Sequence, residues 1–239
     1  MMRRVGILGG MGPQATILIM QKVLACVQAQ DDRDHIPLVV DQNPQVPSRI
    51  AHLLEGAQED PGPVLANAAC RLVLGGAEAI AMPCNTAHHY AAAIRAAVAV
   101  PFLDMVDLSV SHAAALTGSG AKIGILASPA VRKVGLFDAK LAALGLKAEY
   151  ATAEPAMLAA IRQIKAEGPQ PAARQALRAA CLNLAARGAD VQMIACTEFS
   201  LISDAVAPEI TAFDTLDLLV QAIKEFALNK DAKKEQAAV

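Results

Sequence analysis

Two cysteines of this chain lie where a side chain could take part in acid–base chemistry. Cys84 follows the apolar run 79–82, and Cys196 follows the apolar run 191–195. Short apolar runs of this kind are typical of buried strands in a parallel sheet. A thiol has an unperturbed pKa of about 8.5, so a small fraction is thiolate at neutral pH and can accept a proton. The pattern therefore predicts two strand ends that each present a proton-transfer group.

Polar residues directly after each cysteine indicate how the thiols are surrounded. Asn85 and Thr86 come after the first cysteine, and Thr197 and Glu198 come after the second. We interpret these pairs as residues at the start of a helix, where side-chain oxygens cap free N–H groups. A helix N-terminus lowers the pKa of a nearby thiol because those N–H groups favour the anion. We therefore expect both cysteines to lie just before a helix and to have a lowered pKa.

Three local matches indicate an internal repeat. The segment 6–8 recurs at 124–126, a glycine stands eight residues before each cysteine, and the segment 103–108 recurs at 213–218. Ligands of open parallel sheets bind beyond the carboxyl ends of the strands. Because the two cysteines occupy equivalent strand ends, we expect them to flank one cleft. A thiolate and a thiol on opposite faces of a carbon could remove a proton from one face and return one to the other.

The apolar periodicity predicts an α/β fold of two pseudo-symmetric lobes, each a parallel sheet flanked by helices, with the active site in the cleft between them. The first lobe is predicted to comprise 1–103 plus 211–227, the second 104–210, and 228–239 is predicted to be a flexible tail. The predicted strands are 5–8, 38–40, 79–84, 102–103, 121–126, 148–150 and 191–195. The predicted helices are 15–28, 64–74, 87–97, 106–115, 131–143, 155–166, 171–187 and 216–227, and 43–49 is predicted to be a loop.

Composition excludes several classes of protein. The 239 residues are 54% hydrophobic and 18% charged, with a net charge of −2 and no basic block, which disfavours a nucleic-acid partner. No segment approaches 18 uninterrupted apolar residues, and glycines break the first apolar run too early for a signal peptide. We therefore expect a soluble, cytoplasmic protein without a membrane partner.

The five cysteines are irregularly spaced, which disfavours a disulfide framework or a zinc site. Three of them, Cys26, Cys70 and Cys181, fit helix-period patterns and are predicted to be buried apolar residues.

Two other uses of the candidate residues are less favoured. A disulfide between Cys84 and Cys196 is geometrically feasible, but a reducing compartment disfavours it. His88 and His89 are adjacent, yet no carboxylate or cysteine at ligand spacing supports a metal site. Both histidines are predicted to lie in a helix. We expect no metal at this site.

The glycine-rich loop after the first strand allows two interpretations. Residues 10–15 fit the G-x-G-x-x-A fingerprint of dinucleotide-binding folds. However, Pro13 removes a backbone N–H from the turn that would bind the phosphates. A loop that binds a small carboxylate through Met11 and Gly12 fits the same residues equally well.

Four motifs together resemble a known family. Residues 9–16 (GGMGPQAT), 43–49 (NPQVPSR), 83–88 (PCNTAH) and 196–198 (CTE) are similar to the aspartate racemase branch of the aspartate/glutamate racemase family. The similarity runs from about residue 3 to 227. It implies a two-lobe α/β fold, often a homodimer, and racemisation of an acidic amino acid, aspartate first and glutamate second. It also implies that neither pyridoxal phosphate nor another cofactor takes part.

The resemblance implies a role for each candidate residue. Cys84 and Cys196 would be the paired acid and base, and Arg49 would bind a substrate carboxylate through a bidentate contact. Lys165 falls where the family has a second cationic substrate ligand, although both cations would otherwise be interpreted as solvated charges. The side chains that would hold the carboxylate and stabilise the carbanion-like transition state are Asn85, Thr86 and Thr197.

One departure from the family pattern leaves the substrate open. Where the family has a threonine-rich stretch after the strand at 121–126, this chain has Ser-Pro-Ala-Val-Arg at 128–132. This change removes hydroxyls and adds a cation, so strict aspartate specificity is in doubt. The alternatives are another two-cysteine reaction, of the maleate isomerase or hydantoin racemase type, and a non-catalytic dicarboxylate-binding protein. The loop with Arg49 favours a dicarboxylic amino acid.

Overall fold

Eight strands form two parallel four-stranded sheets in the computed structural model, which describes residues 2–229. The predicted tail at 228–239 therefore lies outside the described residues, apart from its first two. The first sheet has the order β2-β1-β3-β4 and the second the order β6-β5-β7-β8. The strands are β1 Val5–Gly9, β2 Leu38–Gln42, β3 Ala79–Ala81, β4 Phe102–Leu103, β5 Lys122–Leu126, β6 Lys147–Tyr150, β7 Val191–Ile194 and β8 Ala212–Asp214.

The two sheets repeat one topology, which confirms the predicted two-lobe α/β fold. In each lobe the first strand lies at the centre and pairs in parallel with the second and third strands. Ile7 is in register with Ala81 in the first sheet, and Ile125 is in register with Met193 in the second. These four side chains are at most 1% exposed, as expected for strands covered by helices on both faces.

Eleven α-helices cover the sheets within the described residues. They are α1 Pro13–Ala25, α2 Arg49–Glu55, α3 Pro61–Leu74, α4 Ala91–Ala97, α5 Met105–Leu116, α6 Pro129–Lys133, α7 Asp138–Ala143, α8 Glu154–Glu167, α9 Pro171–Ala186, α10 Thr197–Ser200 and α11 Thr215–Leu228. Short 3₁₀ helices occur at Asp32–Asp34, Thr86–Tyr90 and Ser203–Ala205. None of the described helices is long and apolar enough to cross a membrane.

The lobes exchange helices at two crossovers. Helix α5 leaves the first sheet and packs Val106 and Val110 on the second sheet. Helix α11 leaves the second sheet and packs Leu219 and Ile223 on the first. The predicted boundary at residue 211 assigns β8 to the first lobe, whereas its backbone pairing with β7 joins it to the second sheet. The chain crosses back between β8 and α11.

Three local elements differ from the predicted ones. The predicted helix 131–143 is two short helices, α6 and α7, because Gly135 takes a positive φ of 60° between them. The predicted helix 87–97 begins as the 3₁₀ turn Thr86–Tyr90 and becomes α4 only afterwards. The predicted loop 43–49 ends at Ser48, whose hydroxyl accepts from the Ala51 N–H and caps α2. Arg49 is therefore a helix residue.

Candidate active site

The two cysteines line one small cavity between the lobes. Cys84 lies in the segment after β3, and Cys196 follows β7 as the N-cap of α10. Both are nearly buried, with exposed fractions of 7% and 6%. The cavity between them has a volume of only about 20 Å³. Its walls also contain Met11, Arg49, Thr86, Ser128, Lys165 and Glu198.

A larger cavity of about 240 Å³ shares three of these residues, Arg49, Lys165 and Glu198. Gly12, the N-cap of α1, lines the larger cavity, and Met11 lines the smaller one. This volume lies below the usual range of roughly 300–1,000 Å³ for drug-sized ligands. The space therefore suits a small amino acid better than a dinucleotide.

Gly10 positions this loop for a steric reason. Its φ is +92°, and a Cβ on it would lie 2.3 Å from the carbonyl carbon of Asn43. Its N–H donates to the Thr16 hydroxyl at 2.9 Å, so that donor is not directed at a ligand. Close approach of two chain segments thus accounts for this glycine of the fingerprint motif.

Arg49 is buried rather than solvated. It is 8% exposed, and its Nη1 donates to the carbonyls of Val46 and Pro47 at 3.2 and 2.9 Å. Its Nε is buried and has no hydrogen-bond partner among residues 2–229. An unsatisfied buried donor is costly, and more so on a charged group. A carboxylate in the adjoining cavity would satisfy the guanidinium.

Glu198, which was predicted only to lie at the start of a helix, lines both cavities. The Cys196 thiol donates to Glu198 Oε2 at 3.1 Å, and Lys165 Nζ lies 3.4 Å from Glu198 Oε1. The carboxyl group is 9% exposed, whereas the Lys165 side chain is 36% exposed. A carboxylate two residues after a candidate catalytic cysteine was the signal available in the sequence.

The pKa of Cys196 is shifted in the direction opposite to the predicted one. Burial raises the pKa of this thiol well above its ordinary value, and the charge and hydrogen bond of Glu198 raise it further. Lys165 acts in the other direction but does not outweigh these effects. The predicted lowering by a helix N-terminus is wrong for Cys196, because α10 has only four residues and the thiol is desolvated beside an anion.

The backbone of Cys84 is held by His88. The His88 Nδ1 lies 2.8 Å from the Cys84 carbonyl, and the Met105 N–H donates to Nε2 at 3.1 Å. The imidazole is therefore neutral with its proton on Nδ1, and burial lowers its pKa. Among the described residues, no group of three His, Cys, Asp or Glu side chains could hold a metal ion.

The predicted hydroxyl and amide residues connect the lobes rather than cap helices. Asn85 Nδ2 donates to the hydroxyl of Thr215, the first residue of α11, at 3.0 Å. The Thr197 hydroxyl donates to the Pro83 carbonyl at 2.9 Å. No side-chain capping bond forms at Asn85 or at the start of α10, so the predicted capping role is wrong.

The segment that departs from the family pattern still supplies one hydroxyl. Ser128 Oγ lies 3.1 Å from Thr86 Oγ1, and both residues line the cavity of the cysteines. The added cation, Arg132, pairs with Glu154 at 2.5 Å and does not line that cavity. The predicted site residues that the structure brings together here are Cys84, Cys196, Met11, Arg49, Thr86 and Lys165.

The model of the Asp/Glu/hydantoin racemase family matches residues 8–223 of this chain. The chain belongs to this family. A curated member, the broad-specificity amino-acid racemase RacX of Bacillus subtilis, is 25% identical over 226 residues, which are 91% of this chain and 95% of RacX. The family assignment makes the protein an isomerase of the racemase type.

Solved structures of racemases share the fold. The aspartate racemase of Picrophilus torridus superposes with a TM-score of 0.82 at 25% identity, covering 94% of each chain. An aspartate racemase homologue from Pyrococcus horikoshii gives a TM-score of 0.74 at 20% identity, covering 95% of this chain and all of the other. A glutamate racemase from Bacillus anthracis gives 0.66 at 15% identity, covering 93% and 80%. The two-lobe arrangement is thus the racemase fold.

Proposed function

We propose that this racemase-family protein interconverts the enantiomers of an acidic amino acid without a cofactor, with aspartate as the first candidate and glutamate as the second. Cys84 and Cys196 would be the paired acid and base. The observation that carries the proposal is that both thiols line one small cavity together with Arg49 and Lys165. This cavity has room for a reacting carbon between two proton-transfer groups.

The charges of the cavity complement an acidic amino acid. Arg49 and Lys165 provide two cations, and Glu198 provides one carboxylate within the same walls. An acidic amino acid carries two carboxylates and one ammonium group. We propose that Arg49 binds one carboxylate, that Lys165 binds the other, and that Glu198 Oε1 accepts from the ammonium. Oε1 lies 3.4 Å from Lys165 Nζ but accepts no hydrogen bond from the described residues, so it could accept one from the ammonium group.

The hydrogen bond of Cys196 supports an acid role for this thiol in the resting site. Because its pKa is raised and it donates to Glu198, Cys196 enters the reaction as a thiol. In that direction the Cys84 thiolate removes the proton from Cα, and the Cys196 thiol delivers its proton to the opposite face. The reaction leaves Cys84 as thiol and Cys196 as thiolate, which is the starting state for the other enantiomer. The nearby cation of Lys165 stabilises the negative charge that moves across the site.

Proton exchange in heavy water tests this mechanism. Incubation of L-aspartate in D₂O should give D-aspartate labelled at Cα, and Cys84→Ala and Cys196→Ala should each abolish racemisation. Cys70→Ala is the matched control and should keep full activity, because Cys70 lies on α3 and lines neither cavity. Full activity in either of the first two variants would contradict the two-base mechanism. Activity that survives treatment with hydroxylamine would support independence from pyridoxal phosphate.

A broader substrate range is the second candidate. Similarity to the broad-specificity racemase RacX extends over nearly the whole chain, and Pro13, Ala15 and Leu201 give the larger cavity apolar walls. A panel of acidic, neutral and basic amino acids, measured by chiral chromatography, separates the candidates. Racemisation limited to aspartate and glutamate supports the first candidate, and comparable kcat/KM values for neutral amino acids support the second.

A further inference from the structure

A separate cavity of about 470 Å³ lies at the edge of the second sheet. It opens between β8, α5 and the segment 203–210, and none of its lining residues lines the cavities of the cysteines. Apolar side chains form much of its wall, including Val206, Ala207 and Phe213. Its polar lining residues include His112, Asp214 and Asp217. The proposed racemase chemistry makes no use of this space.

Asp214, which lines this cavity, has one buried carboxylate oxygen without a hydrogen-bond partner among the described residues. The residue is 7% exposed, and its Oδ1 accepts from the Leu216 N–H at 2.9 Å and from the Ser200 hydroxyl at 2.8 Å. Its Oδ2 is buried without a hydrogen-bond partner among residues 2–229. Burial raises the pKa of this carboxyl group to about 6, so it is still ionised at neutral pH. A buried, unpaired carboxylate oxygen of this kind is costly unless a ligand pairs with it.

The internal repeat shows what such an aspartate pairs with. Asp104 precedes α5 as Asp214 precedes α11, and each side chain caps its helix. In the first lobe, Arg95 Nη2 donates to Asp104 Oδ2 at 2.6 Å, and its guanidinium lies 5.3 Å from the centroid of the Phe102 ring. The oxygen that has no partner in the second lobe thus receives a guanidinium in the first.

The second lobe lacks this cation at the equivalent position. The repeat offset of 110 to 112 residues around this segment relates Arg95 to residues 205–207, which are Ala-Val-Ala. Val206 and Ala207 line the cavity in front of Asp214. The aspartate three residues further on forms an ion pair with a lysine in both lobes. Lys140 pairs with Asp107 in the first, and Lys22 pairs with Asp217 at 2.5 Å in the second. One difference between the lobes is therefore that a guanidinium group pairs with Asp104 and none pairs with Asp214.

We propose that this cavity binds a small alkylguanidinium cation. The charged head would pair with Asp214 Oδ2 as Arg95 pairs with Asp104, and the alkyl group would pack against Val206, Ala207 and Phe213. A planar guanidinium suits a carboxylate and an aromatic wall better than an ammonium group does. The proposal does not depend on the racemase function, since the two sites share no lining residue.

Calorimetric titration of the full-length protein with n-propylguanidinium tests the site. We expect 1:1 binding, and at least about tenfold weaker binding of n-propylurea, which has the same shape but no charge. Asp214→Asn should weaken binding by a similar factor, because asparagine keeps the helix cap but not the charge. Asp204→Asn is the matched control, since Asp204 is exposed, pairs with Arg174 and should leave binding unchanged.

Three outcomes would overturn the proposal. They are equal binding of n-propylurea, unchanged binding in Asp214→Asn, and loss of binding in Glu198→Gln, which would move the site to the cleft of the cysteines. A second variant builds the missing group into the chain. Val206→Arg, at a partly buried position that lines the cavity, should abolish binding of n-propylguanidinium, because it supplies Asp214 with a partner. If Val206→Arg does not fold, the comparison between Asp214→Asn and Asp204→Asn still decides.

Discussion

At the scale of single residues, the reactivity of Cys196 is decided by desolvation and by one carboxylate. The thiol is 6% exposed and donates to Glu198 Oε2, and both facts raise its pKa. Lys165 interacts with the other carboxylate oxygen and lowers the thiol pKa in part. The charges of Glu198 and Lys165 therefore act on the pKa of the Cys196 thiol in opposite directions, and a change of either charge should alter it.

Glu198→Gln should lower the pKa of Cys196. The substitution removes the negative charge that opposes the thiolate, so the rate of alkylation should rise at lower pH than in the wild type. A shift of one unit corresponds to roughly tenfold more thiolate below the pKa. Iodoacetamide labelling across pH, with mass spectrometry of the peptide that contains Cys196, measures the shift. Glu167→Gln, an exposed glutamate on α8, is the control, and an equal shift there would contradict the role of Glu198.

Arg49→Lys should raise KM for aspartate by about tenfold or more. An ammonium group cannot replace the planar fork of donors that holds both a carboxylate and the loop carbonyls of Val46 and Pro47. Steady-state kinetics measure the effect, with the thermal midpoint as a check on folding. Arg162→Lys, which changes an exposed arginine paired with Glu55, should leave KM unchanged. An unchanged KM in Arg49→Lys would mean that Arg49 is not a carboxylate ligand.

At the scale of elements, the loops at the strand ends are shaped by close packing. The turn after β1 brings Gly10 against the backbone of Asn43 in the loop that precedes α2. That loop ends at Ser48, and α2 begins with the buried Arg49. The two loops therefore form one wall of the larger cavity together, and each depends on the position of the other.

Gly10→Ala should destabilise the protein by a few kcal/mol. The new methyl group would meet the Asn43 carbonyl, and a non-glycine residue at positive φ adds about 1–2 kcal/mol. Urea denaturation measures the free energy of unfolding. Gly118→Ala is the matched control, since a Cβ there would meet no atom within 4 Å and φ is not positive. Equal stability of the two variants would contradict the close approach.

At the scale of the whole molecule, side-chain bonds across the cleft hold the lobes together. Thr215 accepts from Asn85 at 3.0 Å and donates to the Ile194 carbonyl at 2.9 Å, so one hydroxyl links the Cys84 segment to the end of β7. Thr197 adds a second link to Pro83. These bonds, with the exchanged helices α5 and α11, join the segments that carry the two cysteines. The homodimer expected from the family resemblance stays a prediction at this scale.

Thr215→Val should lower both stability and turnover. Valine has nearly the same shape, but it leaves the Asn85 amide and the Ile194 carbonyl buried without a partner, at about 1–3 kcal/mol each. Thr215→Ser keeps the hydroxyl and should restore most of both properties. Thr117→Val, which removes a hydroxyl bond within α5, should affect stability less and turnover not at all. Normal kcat in Thr215→Val would show that this link does not position the cysteines.

Features that depend on local periodicity and on the repeat could be predicted from the sequence. The two-lobe fold and the strands β1 to β7 follow from apolar runs and from matched segments, whereas β8 was not predicted as a strand. The split helix at Gly135 and the cap at Ser48 were missed because one residue changes the local backbone. The boundary at 211 differs from the strand pairing because a strand and the helix after it can join different lobes.

Features that depend on distant side chains were decided only by the tertiary structure. Helix α8 brings Lys165 to Glu198, the lobes bury Arg49, and burial turns the expected lowering of the Cys196 pKa into a rise. The physical reason is that desolvation and pairing depend on which elements meet, and no spacing along the chain records this. The sequence by itself indicated that Cys84 and Cys196 lie at equivalent strand ends beside one cavity, and the fold determined the charges that surround them.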